Sequence, residues 1–215
     1  MAAVQTRLLI LAAVALFEPV NGNQVRRGLI GWGADRWGQV QPGSVYSMLG
    51  TLSKQGFVVA HEVADGARRV TVYTVTEDGY SELGRIFERI IAVPDPANPV
   101  AFFAAASQAG LLTRERFLEL LRARQSAERQ LALAWESVAN RKRPSVVEHS
   151  TSLWLGMAGA EREWVAKTIE LVEGGGLVFR GEPGAGQVPV DPHLPRERER
   201  YRTLIAAQGP QCQAR

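Results

Sequence analysis

At 215 residues the chain is long enough for one large domain or two small ones, each with its own core. Hydrophobic residues at 46% and charged residues at 22% are ordinary for a soluble globular protein, and a single cysteine, Cys212, excludes an intrachain disulfide or a cysteine-based metal site. Net charge +3 invites a nucleic-acid or anionic-membrane partner, but residues 1–79 hold seven basic and six acidic groups, so charge alone does not make that case.

The apolar run Leu8–Phe17 behind Arg7 is too short to span a membrane. It fits the h-region of an export signal or a buried first helix over about Thr6–Phe17, ended by Pro19. The segments that follow favour the buried helix. Asn21 is suited to cap a second helix, with Val25 and Leu29 on its inner face. Gly31-Trp32-Gly33-Ala34 reads as a loop.

Pro42 to Gln55 is the clearest helix of the front half, with proline in its first turn and Gly56 at its stop. Val45, Met48, Leu49 and Leu52 form one stripe, and Ser44, Ser47, Thr51 and Lys54 lie opposite. A hairpin follows. Phe57–Val63 is strand-like, Asp65-Gly66 turns, and Val70–Val75 returns. Thr76 caps a further helix whose stripe is Leu83, Ile86, Phe87, Ile90 and Ile91.

Pro94–Pro99 is a rigid break and the expected domain boundary. Beyond it, Leu120, Ala123, Ala127, Leu131, Ala134 and Val138 step at helical spacing. So do Leu153, Met157, Ala160 and Trp164, then Val165, Ile169 and Val172. Arg141-Lys142-Arg143-Pro144 separates these two helices. From Gly174 the chain is rich in Gly and Pro and reads as a flexible tail.

The front half resembles the PadR-like family of regulators. Leu8-Leu9-Ile10-Leu11 is similar to the family's apolar first helix. Pro19-Val20-Asn21-Gly22-Asn23 stands where the family often has Pro-Leu-His-Gly-Tyr. Pro42-Gly43-Ser44-Val45-Tyr46 resembles its Pro-Gly-Ser/Thr-Leu-Tyr start of the recognition helix, continued by Leu49, Leu52, Gly56 and Phe57. Tyr73-Thr74-Val75-Thr76-Glu77-Asp78-Gly79 is similar to Tyr-x-Leu-Thr-x-x-Gly. Gly50 and Thr51 depart from the basic residues often found after the tyrosine. The second half resembles, in pattern only, the helical C-terminal domain of longer members.

The resemblance implies a mostly α fold with a small β-hairpin wing. It implies a winged helix-turn-helix over residues 1–93, a helical dimerisation domain over 99–173 and the tail over 174–215. It further implies a cytoplasmic homodimer that binds double-stranded DNA as a transcriptional regulator and repressor, with a small-molecule effector of unknown site and no enzymatic activity, cofactor, metal or membrane association. The alternative is a protein-interaction module that kept the fold with little DNA binding.

Ser44, Ser47, Thr51 and Lys54 would reach base edges and phosphates from the recognition helix, or form a merely solvated face. Tyr46 contacts a phosphate or wedges between helices. Arg68 and Arg69 contact DNA from the wing or solubilise a hairpin tip, and Arg26 and Arg27 would grip the backbone. Trp135, Trp154 and Trp164 line an effector pocket or pack a core or interface. His61, His149 and His193 lack ligand spacing. Arg36 takes the place of the third glycine of a dinucleotide fingerprint, and Gly174-Gly175-Gly176 lacks the lysine of a P-loop.

Overall fold

A computed structural model of the chain describes residues 2–38, 40–139, 145–185 and 194–208. The chain divides into two compact units, residues 1–86 with 186–215, and residues 87–185.

In the first unit, α1 (Ala2–Phe17) has every side chain from Leu8 to Val14 fully buried, because α2 (Gly22–Gly31), α3 (Pro42–Lys54) and β3 (Arg68–Val75) pack against it. Burial on all sides explains why its sequence shows no polar stripe. Asn21 caps α2 (Gly22–Gly31) as expected, in a reciprocal box. Its side chain accepts from Gln24 N at 2.9 Å, and Gln24 Oε1 accepts from Asn21 N at 2.8 Å. The helix α3 (Pro42–Lys54) buries Val45, Leu49 and Leu52, with Met48 half-buried, and ends at Gly56, whose φ of +77° suits glycine.

Three antiparallel strands, β1 (Val20–Asn21), β2 (Val58–Asp65) and β3 (Arg68–Val75), lie in the order β1-β3-β2. Val63 faces Val70, and His61 faces Val72. Glu18 closes the base of the wing. Its carboxylate accepts from Val75 N at 2.5 Å and from the Tyr80 hydroxyl at 2.7 Å. Thr76 caps α4 (Glu77–Phe87), its hydroxyl accepting from Gly79 N at 2.9 Å. Gly79 cannot be larger, since a Cβ there would meet the carbonyl oxygen of Phe57 at 2.1 Å.

The tail is corrected. Leu194–Ala207 is a helix, α8, that packs on β2 within the first unit. Tyr201 joins Val63 and Val72 in one cluster, flanked by Val70, Leu204 and Ile205. Residues 174–185 are also ordered into turns, with Phe179 buried against Phe117 at 5.6 Å between ring centroids. Residues 186–193 and 209–215, including His193 and Cys212, lie outside the described residues.

The second unit holds a π-helical turn (Glu88–Ala92), α5 (Pro99–Ser107), α6 (Arg114–Ala139) and α7 (Val146–Glu173). Its boundary falls at Ile86/Phe87 rather than at Pro94–Pro99. The reason is Arg124, 1% exposed in the middle of α6. Its Nη1 donates to the carbonyls of Ile90, Ile91 and Val93 at 3.1–3.3 Å, binding that stretch into the unit. Its guanidinium also lies 3.8 Å over the Phe102 ring, and its Nε donates to Glu161 Oε1 at 2.8 Å.

The inner face of α6 therefore runs through Phe117, Leu120, Leu121, Arg124 and Glu128, and Ala123 is exposed. A stripe read from apolar residues alone missed this turn of the helix, because two charged side chains occupy its core positions. On α7, Val165 and Val172 are buried as expected, whereas Leu153, Met157 and Trp164 are exposed in the single chain. The Arg141–Pro144 separator and the side chains of 133–139, with Trp135 and Val138, lie outside the described residues.

Candidate nucleic-acid interface

Helix α3 is sealed on one side and open on the other. Tyr46 is 53% exposed, and Ser47, Thr51 and Lys54 are exposed, whereas Ser44 is half-buried. The Thr51 hydroxyl donates to the Ser47 carbonyl at 3.0 Å, a bond within the helix that holds the hydroxyl along the axis. Gly22 and Tyr46 meet closely. A Cβ on Gly22 would lie 2.7 Å from the Tyr46 ring, so glycine lets that ring lie against the start of α2. Tyr46 thus both touches a helix and presents half its surface to solvent.

Strand register separates the two wing arginines. Successive side chains alternate across a sheet, and paired residues share a face. Arg68 pairs with Asp65 and lies on the face of Val63, Val70 and Val72, which α8 covers. Arg69 pairs with Ala64 and lies on the opposite face, with Thr71 and Tyr73. Burial raises the pKa of the Tyr73 phenol, and the nearby charges of Glu62 and Tyr46 raise it further. Both arginines are exposed.

The α2 arginines sit one turn inside the helix rather than at its start. Half-buried Arg26 donates from Nη2 to Asn23 Oδ1 at 3.4 Å. Arg27 Nη2 lies 3.5 Å from Glu197 Oε2 of α8, whose same oxygen accepts from Gln24 Nε2 at 2.5 Å. Glu197 thus competes with any phosphate for Arg27. Tyr46, Ser47, Thr51 and Lys54 thus lie on α3, Arg69 lies on the wing face opposite α8, and Arg27 lies against Glu197 of α8.

Sequence reasoning missed Tyr73 and the α8 side chains Glu197, Arg198 and Tyr201. A signal existed for α8, since Tyr201, Leu204 and Ile205 follow Glu197 at helical spacing, and the charge alternation of Arg196–Arg200 masked it. Arg198 is buried enough to lower its pKa, and its Nε donates to the Glu18 carbonyl at 3.0 Å.

Among the described residues, no helix is long and apolar enough to cross a membrane, and no group of three or more His, Cys, Asp or Glu is placed to hold a metal ion.

Residues 10–85 match the model of the transcriptional regulator PadR-like family. No curated protein matches the chain. Among solved structures it is similar to the crystal structure of Bacillus subtilis PadR in complex with operator DNA. That match has 17% identity, spans 76% of this chain and 98% of that one, and has a TM-score of 0.31.

Proposed function

We propose that the protein is a dimeric, sequence-specific DNA-binding repressor responsive to a small molecule, a reading that starts from the match of residues 10–85 to the PadR-like family of transcriptional regulators. One observation carries the DNA reading. Helix α3 seals Val45, Leu49 and Leu52 into the core and turns Ser47, Thr51 and Lys54 outward. Short hydroxyls suit base edges, and the lysine and Arg69 suit phosphates on either side. Ser44, half-buried at the start of α3, would approach the backbone from there.

The dimer rests on the second unit. Leu153, Trp154, Met157 and Trp164 are 44–67% exposed along α7, and Phe103 is 54% exposed on α5. A two-fold partner would cover such a face, and pairing two weak DNA-binding modules raises affinity through effective concentration.

A genome-wide binding map followed by footprinting tests the reading. We expect protected inverted half-sites about one helical turn apart. Absence of any protected site would return the chain to the interaction-module reading, which the occupation of Arg27 by Glu197 favours.

A further inference from the structure

The second unit contains a cleft of about 680 Å³ between the Pro94–Pro99 stretch and the facing sides of α6 and α7. Its walls are apolar, with Leu131, Trp154 and Met157 prominent, and its floor carries the carboxylates of Glu128 and Glu161.

These carboxylates are an unusual floor for an apolar cleft. Glu128 is 6% exposed, and neither of its oxygens accepts a well-formed hydrogen bond. Its nearest cation is Arg124, with Nε 2.9 Å from Oε1, but that N–H points to Glu161 and the remaining donors of Arg124 serve Glu161 and three backbone carbonyls. One guanidinium thus serves two carboxylates. Asp95 and Arg162 at the rim add one charge of each sign, so the floor keeps an excess of one negative charge when both glutamates are ionised. A buried acceptor without a donor is costly, and a ligand that supplies the donor recovers that cost.

We propose that this cleft binds an amphiphilic cation, a flat apolar body bearing a protonated amine, with the body between Trp154 and Met157 and the ammonium on the Glu128–Glu161 pair. The volume suits a ligand of two or three fused rings. The aromatic wall favours a flat body, and two carboxylates that share one guanidinium select a donor of positive charge over a neutral or anionic group. This assignment gives the effector of the proposed regulator a chemical class, and rests on that reading only for its consequence on DNA.

Calorimetric titration of the full-length protein with 1-naphthylmethylamine, 1-naphthylmethanol and 1-naphthoate tests it. The amine should bind about tenfold tighter or more than the alcohol, and the carboxylate weakest. Glu128→Gln, which keeps the shape and the Arg124–Glu161 pair, should remove the preference for the amine while leaving the alcohol's affinity within about twofold. A thermal melt of the same variant verifies its fold. Tightest binding by the carboxylate overturns the proposal, as does an amine preference that survives in Glu128→Gln. Failure of all three probes on a protein that sediments as a dimer, with Trp154 protected from solvent, also overturns it, and assigns the cleft to a second copy. Retention of genomic DNA fragments, measured without probe, tests the regulator reading separately. The amine should change that retention several-fold in the parent protein and leave Glu128→Gln unaffected.

Discussion

The side-chain amide of Asn21 donates to the phenol oxygen of Tyr201 at 2.7 Å, joining the cap of α2 to a helix 180 residues later. The same ring fills the back of the wing against Val63 and Val72. Around it, Arg200 pairs with Asp65, Gln208 Nε2 donates to the Glu62 carbonyl at 2.6 Å, and Arg198 holds Glu18. Helix α8 is therefore a strut of the winged unit.

Tyr201→Ala should destabilise the winged unit by about 3 kcal/mol, the usual cost of emptying a large buried aromatic site. Tyr201→Phe should cost about 1 kcal/mol, the loss of one hydrogen bond. Chemical denaturation followed by far-ultraviolet circular dichroism measures both. Equal stability of Tyr201→Ala and the parent would show that α8 bears no load.

Gly79→Ala should cost at least about 2 kcal/mol, because the new methyl group meets the backbone carbonyl of Phe57 rather than a movable side chain. Gly84→Ala, in open space on the same helix, should instead be neutral or stabilise by up to about 1 kcal/mol. Thermal melts of the pair isolate the steric term from helix propensity.

The wing arginines should be unequal. Arg69→Ala should weaken binding to all DNA sequences and lower the salt slope by about 1. Arg68→Ala, on the α8 side of the sheet, should do less. Ser47→Ala with Thr51→Ala should relax sequence preference with little change in salt slope. Fluorescence anisotropy over a salt series gives both quantities, and equal slopes for the two arginine variants would refute the division.

Burial, with Glu161 beside it, pushes the Glu128 pKa up to about 7, against the opposing pull of Arg124. Between pH 4.5 and 7 the folded chain then holds a proton that the unfolded chain has released. Stability contributed by this group is full below the unfolded value and is lost as pH rises through the folded one, by on the order of 1–3 kcal/mol. Melting temperature should fall between pH 5 and 7.5 in the parent, and this part of the fall should vanish in Glu128→Gln. An identical pH profile for the two proteins would exclude Glu128 as its source.

Arg124→Ala should be the most damaging change in the second unit, at about 3–5 kcal/mol. It leaves Glu128 and Glu161 facing each other and orphans the three carbonyls at Ile90–Val93. A melt of the isolated change against Phe102→Leu, which removes only the ring under the guanidinium, separates charge pairing from the cation–π contact.

Most of the front half was legible because its local chemistry agrees with its tertiary surroundings. The Asn21 cap, the Pro42 start, the Gly56 stop, the Asp65-Gly66 turn and the Thr76 cap are short-range devices, and each stands where its sequence placed it. The inner face of α6 was not legible. Arg124 and Glu128 are charged residues in core positions, made possible by partners on other elements that no local window contains. The α8 strut was hidden for a related reason. Its acids and bases find partners on α2 and the wing, where the sequence alone suggested solvent. Of the candidate DNA-facing residues, the exposed face of α3 followed from periodicity. The separation of Arg68 from Arg69, and the occupation of Arg27, depend on strand register and on α8.

Because the winged unit draws on residues 1–86 and again on 186–215, ribosomal synthesis delivers its parts out of order. At about 5–20 residues per second, the hundred or so residues between them take roughly 5–20 s to emerge. Throughout that interval the back of the hairpin, Val63, Val70 and Val72, waits without its cover. A nascent chain released early would carry α3 beside an unbraced wing. Completion of this domain is therefore timed by translation through the whole of the other one.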